Sequence, residues 1–229
     1  MTAIILQARL DSRRLPGKAL LPLQGRPLVF RVMEALNRVP AALRILACPE
    51  DSLAAFKPLA EEAAFEIVPG PKDDVLARFC IAVRQFKADR VIRATADNPY
   101  VFADAAEALN REAAALNADY AGYAALPHGA GVESVNGEAL LRAEREAEAP
   151  AEREHVCPWL YNHPELFLLH RPLAPRHWQG LHARVTVDTQ ADYEKAVLLY
   201  DALSRHTTGD DRYRGETINR IYQQLSEVL

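Results

Sequence analysis

The sequence predicts an α/β fold built on a mainly parallel sheet, with a small β-rich insertion in its second half. Two observations carry this. Short β-branched apolar runs alternate with longer stretches of helical periodicity through the first half, the order that parallel strands with crossover helices produce. The strand-like runs are also apolar without interruption, as strands are when helices cover both faces. A single Rossmann-like domain fits the 229 residues, of which 49% are hydrophobic and 25% charged, with enough chain to bury a substantial core.

Taken in order, residues 3–6 read as the first buried strand, followed by a polar, basic loop over residues 9–18. Pro27 fits the start of a helix carrying Leu28, Val32, Ala35 and Leu36 on one side. Residues 43–48 form the second strand, and an alanine-rich helix over about 51–64 follows, with Asp51 or Ser52 to cap it. The third strand, 65–68, stops at Pro69-Gly70-Pro71. Asp73 or Asp74 then opens a helix with Val75, Leu76, Phe79, Ala82 and Val83 inward. Residues 90–95 are the fourth strand and 103–116 the next helix.

The second half is less regular. Residues 119–123 and 131–135 read as strands around a loop at 126–130. A charged helix over 137–148 precedes another that begins near Pro150. Strands are expected at 166–170 and 182–187; the latter alternates, with Ala183, Val185 and Val187 on one face. Helices from about Ala191 and Gly215 finish the chain. No repeat or linker divides it, so residues 1–229 are expected to form one domain with an insertion around 119–175.

Composition narrows the functional classes. A net charge of −4 leaves no general footprint for nucleic acid. Cys48, Cys80 and Cys157 lie far apart, which argues against a disulfide framework and for a reducing compartment. No apolar run approaches the ~20 residues that span a bilayer, and residues 3–6 are too short for a signal peptide. A cytoplasmic protein without membrane contact is expected.

In a parallel α/β sheet the ligand lies beyond the carboxyl ends of the strands, where residues 9–18, 71–78 and 96–100 all fall. The first of these bears Arg9, Arg13, Arg14 and Lys18 together with Ser12 and Gly17. Arginine forks match phosphate oxygens in pairs, lysine adds a mobile charge, and loop amides can cradle an anion. It is not a G-x-x-x-x-G-K-[ST] loop, and composition alone fits a solvated basic loop equally well. In the second segment Asp74 and Arg78 stand four apart on a helix, spaced for a ligand contact or for an intrahelical ion pair. Thr95-Ala96-Asp97-Asn98-Pro99 places a carboxylate just past a strand, suited to holding Mg²⁺ against phosphate or simply to starting a turn. Asp188 follows Val185-Thr186-Val187 and is open to a metal role or to capping the next helix, uses that compete for the same oxygens.

Ala8-Arg9, Ser12 and Arg14-Leu15-Pro16-Gly17-Lys18 together resemble the nucleotide loop of the CMP-sugar synthetases that activate 3-deoxy-manno-octulosonate or acylneuraminate. The match is nearest to the related spore-coat-polysaccharide cytidylyltransferase-like family, and it extends loosely from about residue 3 to residue 200. The resemblance implies a nucleotide-diphospho-sugar transferase type of fold. It implies transfer of CMP from CTP to a sugar or sugar acid, with release of pyrophosphate and Mg²⁺ as cofactor.

Residue by residue, the resemblance implies nucleotide contacts at Ala8, Arg9, Ser12, Arg14, Lys18, Asp74, Arg78, Thr95 and Asp97. Asp97 and Asp188 would be the metal ligands, and with Arg9 and Lys18 the catalytic set. Asn98, Gly129, Glu133, Arg153 and His155 would face the acceptor. Where the family usually has glycine before the aspartate, this chain has Ala96, which would restrict a backbone needing positive φ. The insertion would serve acceptor binding or a homodimer. Two rival functions remain at this point: a catalytically silent nucleotide- or sugar-binding subunit, and a transferase that uses another nucleoside triphosphate.

Overall fold

The computed structural model describes residues 1–226. In its first half β1 (Thr2–Gln7), β2 (Pro22–Leu23), β3 (Arg26–Pro27), α1 (Leu28–Leu36), β4 (Leu43–Pro49) and α2 (Leu53–Glu62) are followed by β5 (Glu66–Gly70), α3 (Val75–Phe86), β6 (Arg90–Thr95) and α4 (Ala103–Ala115). The second half adds β7 (Tyr120–Ala121), β8 (Glu133–Asn136), α5 (Gly137–Glu146), α6 (Pro150–His155), α7 (Pro158–Asn162), β9 (Leu169–His170), α8 (Gln190–His206) and α9 (Gly215–Ser226).

Among the described residues the main sheet has seven strands in the order β5-β4-β1-β6-β8-β7-β9. β1 is central and pairs in parallel with β4 and with β6; β4 pairs in parallel with β5. The far side turns antiparallel at β8, which lies between β6 and β7, and β9 runs parallel to β7. β2 and β3 form a separate hairpin.

The unbroken apolar run of β1 follows from two cores. Ile4 and Leu6 point into one core with Leu46, Ile92 and the inner faces of α1, α2, α4, α8 and α9. Ala3 and Ile5 point into the other with Ile45, Val91 and the inner faces of α3, α5 and α7. Every one of these β1 side chains is fully buried. At about 25 cal/mol per Å² of apolar surface, such two-sided burial makes β1 a main source of the sheet's stability.

The region expected as a β-rich insertion contributes β7, β8 and β9 to this same sheet, with α5, α6 and α7 between them. Two further expectations are corrected, and one helix was not expected. Residues 182–187 form no sheet strand: Val185 N–H donates to the His128 carbonyl at 2.9 Å and His128 N–H to Ala183 at 2.9 Å, an isolated bridge. Their alternation records burial of Val185 and Val187 under one side, not membership of a ladder. Neither Asp51 nor Ser52 caps α2 through its side chain; Asp51 accepts from Ser52 at 2.9 Å and from Lys72 at 3.0 Å. α7, with Trp159 and Leu160 buried, was not anticipated because five residues carry too little period to see.

Candidate active site

The loop after β1 is closed on itself, since Gly17 N–H donates to the Leu10 carbonyl at 3.2 Å. Gly17 has φ +67°, a left-handed conformation that glycine takes without a Cβ penalty, and it opens a single helical turn over Lys18–Leu20. That turn sends Lys18 inward, where its side chain is only 15% exposed.

Lys18 is the hub. Its ammonium donates to Asp97 Oδ2 at 2.9 Å, to Asp188 Oδ1 at 3.0 Å and to the Val187 carbonyl at 2.9 Å, which uses all its donors. The loop after β1, the turn after β6 and the segment before α8 therefore meet at one nitrogen. Asp188 also takes Arg14 Nη2 at 2.7 Å on Oδ1 and Arg184 Nη2 at 2.5 Å on Oδ2. Burial alone would raise the Asp188 pKa, but Lys18, Arg14 and Arg184 outweigh it and hold the carboxyl below its ordinary range.

Asp188 reaches this position without a sheet strand beneath it. Val187 N–H donates to the Asp97 carbonyl at 2.8 Å and Thr186 Oγ1 to the same oxygen at 3.3 Å, so the two carboxylate-bearing segments are stitched together directly. Asp188 does not cap the next helix, because Thr189 caps α8. Its hydroxyl accepts from the Asp192 N–H, and the Asp192 carboxylate accepts from the Thr189 N–H in return, a capping box. Asp188 keeps both oxygens for other partners. Ala96 introduces no strain, since it is not among the residues with positive φ.

These groups line a crevice of about 820 Å³. Ala8, Arg9, Ser12, Arg14, Lys18, Arg78, Thr95, Asp97, Asn98, Gly129, His155 and Asp188 all face it. Arg9 is half-exposed and lies 3.7 Å from Glu154 on α6. A second cavity of about 410 Å³ adjoins it, sharing Arg93, Thr95, Asn98, His128 and Gly129 and adding Glu133, Tyr120 and Tyr123. Gly129 lines both at φ +95°, and a Cβ there would come within 2.6 Å of Thr186 N.

Two expected site residues lie elsewhere. Asp74 Oδ1 caps α3 through the Ala77 N–H at 2.9 Å, and its Oδ2 meets Arg153 Nη2 at 2.6 Å. Arg153 also donates to the carbonyls of Glu144 and Ala147, each at 2.9 Å, and neither residue lines either cavity. The Asp74–Arg78 ion pair does not form, because the capping role turns Asp74 toward α6. His155 faces the larger crevice together with Asn98 and Gly129, whereas Glu133 lies on the smaller cavity alone.

Sequence reasoning missed Arg93, Gln7 and Tyr120. Arg93 pairs with Glu133 and donates to Gln7 Oε1 at 3.1 Å, while Tyr120 OH donates to Glu133 Oε1 at 2.8 Å. The available signal was a charged residue in the middle of an apolar strand, Val91-Ile92-Arg93-Ala94. A buried strand carries such a residue only when a partner and a cavity receive it.

Among the described residues no group of three or more His, Cys, Asp or Glu side chains is arranged to hold a metal. The Asp97–Asp188 pair is a hard-oxygen donor set. It suits a cation that takes its other ligands from water and substrate phosphates, as Mg²⁺ does.

The family model described as Cytidylyltransferase matches residues 3–223. The spore coat polysaccharide biosynthesis protein SpsF of Bacillus subtilis is 30% identical over 203 residues, covering 86% of this chain and 85% of that one. A cytidylyltransferase from Leptospira borgpetersenii shares the fold with a TM-score of 0.88 at 20% identity, over 99% of this chain and 95% of that one. So does a CMP:2-keto-3-deoxy-manno-octonic acid synthetase solved with CTP, at TM-score 0.69 and 17% identity, over 87% and 98%. With the family model spanning nearly the whole chain and the loop, turn and paired carboxylates in one crevice, this protein belongs to the cytidylyltransferase family.

Proposed function

We propose that an acceptor hydroxyl of a sugar or sugar acid attacks the α-phosphate of CTP in line at the junction of the two cavities, and that pyrophosphate leaves toward Arg9, Arg14 and Lys18. The observation that carries this reading is the Lys18 ammonium held between Asp97 and Asp188 on the wall of the larger crevice. A cation already sits between two carboxylates where a triphosphate would enter. Positioning and charge neutralisation then do most of the catalytic work.

Mg²⁺ held by Asp97 and Asp188 would lower the charge that the nucleophile meets at the α-phosphate. Lys18 and Arg14 are bound to Asp188 in the free protein, so on nucleotide binding both turn from carboxylate to phosphate. The two aspartates are thereby kept close at no cost in unpaired charge. The smaller cavity takes the acceptor, with Asn98, Gly129 and Glu133 along its wall. Residues 119–175 supply much of that wall, and a homodimer through this region fits the same reading. No helix among the described residues is long and apolar enough to cross a membrane. A cytoplasmic enzyme acting on small molecules, not on nucleic acid, is the corresponding setting.

Pyrophosphate release tests the proposal. CTP, UTP, GTP and ATP would each be offered with Mg²⁺ and a panel of sugar acids and neutral sugars. Release confined to CTP, dependent on Mg²⁺ and on one acceptor class, is expected. Nucleotide binding without release across an acceptor panel that includes 3-deoxy-manno-octulosonate would favour a silent binding subunit instead.

A further inference from the structure

An acceptor in the smaller cavity and an α-phosphate in the larger one meet where the two cavities join. A group that takes the acceptor's proton must therefore line both, within hydrogen-bond reach of the attacking oxygen. Five residues do so: Arg93, Thr95, Asn98, His128 and Gly129. Arg93 is paired with Glu133 and, as an arginine, keeps its proton. Thr95 Oγ1 accepts from Asn98 Nδ2 at 2.8 Å, and neither side chain is a base. Gly129 has no side chain. His128 alone carries a group that gains and loses a proton near neutrality.

The other bases are engaged or lie elsewhere. Glu133 faces only the smaller cavity and spends its two oxygens on Arg93 and Tyr120. Asp97 and Asp188 are held by Lys18. His155 lines the larger crevice alone, and His170 is bound to Glu112 at 3.0 Å. The imidazole of His128 makes no hydrogen bond or ion pair among the described residues, and the residue is exposed. Around it the charges are matched with each other, Arg93 with Glu133, Asp97 with Lys18 and Arg184 with Asp188. Arg171 is the exception, its guanidinium lying over the Tyr161 ring.

The backbone fixes where this histidine stands. Its N–H donates to the Ala183 carbonyl and its own carbonyl accepts from the Val185 N–H, each at 2.9 Å. Asp188 follows Val185 by three residues, at most about 11 Å of chain. Between them Val187 N–H is bonded to the Asp97 carbonyl at 2.8 Å. One short segment thus ties His128 to both carboxylates.

We propose that His128 is the general base of the transfer. This deepens the reaction given above and rests on it. The acceptor hydroxyl gives its proton to a ring nitrogen of His128 as its oxygen bonds to the α-phosphorus of CTP. The bond from that phosphorus to the bridging oxygen breaks, and its electron pair leaves with pyrophosphate. The imidazolium then returns its proton to solvent, which the exposed side chain reaches.

The assay is pyrophosphate release with CTP, Mg²⁺ and the member of the acceptor panel that reacts fastest. His128→Gln keeps a polar side chain but cannot take the proton, so kcat should fall about 10²- to 10⁴-fold. Its CTP affinity, measured by calorimetry without acceptor, should match wild type, because the ring serves the acceptor oxygen. His128→Ala removes an exposed side chain and should keep the wild-type Tm. Added imidazole should restore part of its turnover, in proportion to the free-base form of the imidazole. Full turnover in His128→Gln, or turnover of a folded His128→Ala that imidazole does not raise, would overturn the proposal. A loss of CTP affinity as large as the loss of turnover would also overturn it, making His128 a nucleotide contact. If wild type released no pyrophosphate with any acceptor, the transfer reading itself would fail and this assignment with it. Wild-type release that survives unchanged in both variants removes His128 alone.

Discussion

The two ends of the crevice hold their charge in opposite ways. At the phosphate end the central groups are paired: Lys18 has three acceptors, and Asp188 is held by Lys18, Arg14 and Arg184. At the other end Arg78 is buried with none. On the proposed function both ends accept part of a nucleotide, yet one would exchange partners when the ligand arrives and the other would gain partners it lacks. Exchange keeps the free protein stable and discriminates little, since any triphosphate can trade places with a carboxylate. An unfilled donor set costs stability and discriminates well, because only a matching acceptor pattern recovers that cost.

The largest effect is expected where exchange is broken outright. Asp97→Asn keeps the shape of the turn and removes one carboxylate, so turnover should fall about 10²- to 10³-fold by pyrophosphate release, comparable to loss of one transition-state-stabilising group. The variant should stay folded by circular dichroism. Near-wild-type turnover would show that the paired aspartates are not the centre of the chemistry.

Lys18→Met sharpens the comparison. Turnover should drop about 10- to 100-fold, while Mn²⁺ affinity of the nucleotide-free protein should rise about tenfold, because a competing positive charge has left two carboxylates. Electron paramagnetic resonance of Mn²⁺ reads this directly. An unchanged Mn²⁺ affinity would mean that the lysine does not occupy the cation position.

The smallest effect concerns the capping box that relieves Asp188 of a capping role. Thr189→Ala should cost about 1 kcal/mol of stability in urea unfolding, with turnover reduced only a few-fold. The same box gives a pH dependence. Burial would raise the Asp192 pKa, but hydrogen bonds from Thr189 and from the Asp188 and Thr189 backbone, with the Arg184 charge, lower it below its ordinary value. A carboxyl lowered on folding stabilises the protein above about pH 4 and loses that contribution as pH falls through the folded value. Asp192→Asn should therefore lose less stability than wild type between about pH 5 and 3. Parallel curves would place the acid sensitivity elsewhere.

The parallel half of the fold was legible because its strands are apolar without a break and its helices are long enough to show a period. Ala3 to Leu6 and Val75 to Phe86 are cases in point. In the antiparallel half, strands were expected at 119–123, 131–135 and 166–170, where β7, β8 and β9 lie, but their limits were not legible because only two to four residues pair, and the 182–187 segment alternates without pairing in the sheet. For the same reason the expectation that Asp188 ends a strand failed, although it does lie beside Asp97. The Lys18 loop was legible from its block of residues, whereas the diversion of Asp74 and Arg153 to each other was not. An acidic helix start and an exposed basic turn look alike in sequence whether they face a ligand or one another. Arg93 and Arg78 show the converse, since what marks them is burial, which spacing alone does not reveal.

A crystal structure of the protein with CTP and Mn²⁺ tests the central claim most directly. The account expects the anomalous Mn²⁺ signal between Asp97 and Asp188, and Lys18 Nζ moved onto a phosphate oxygen. A nucleotide with its phosphates away from Lys18, or a Lys18 still bridging the aspartates with metal bound elsewhere, would contradict it.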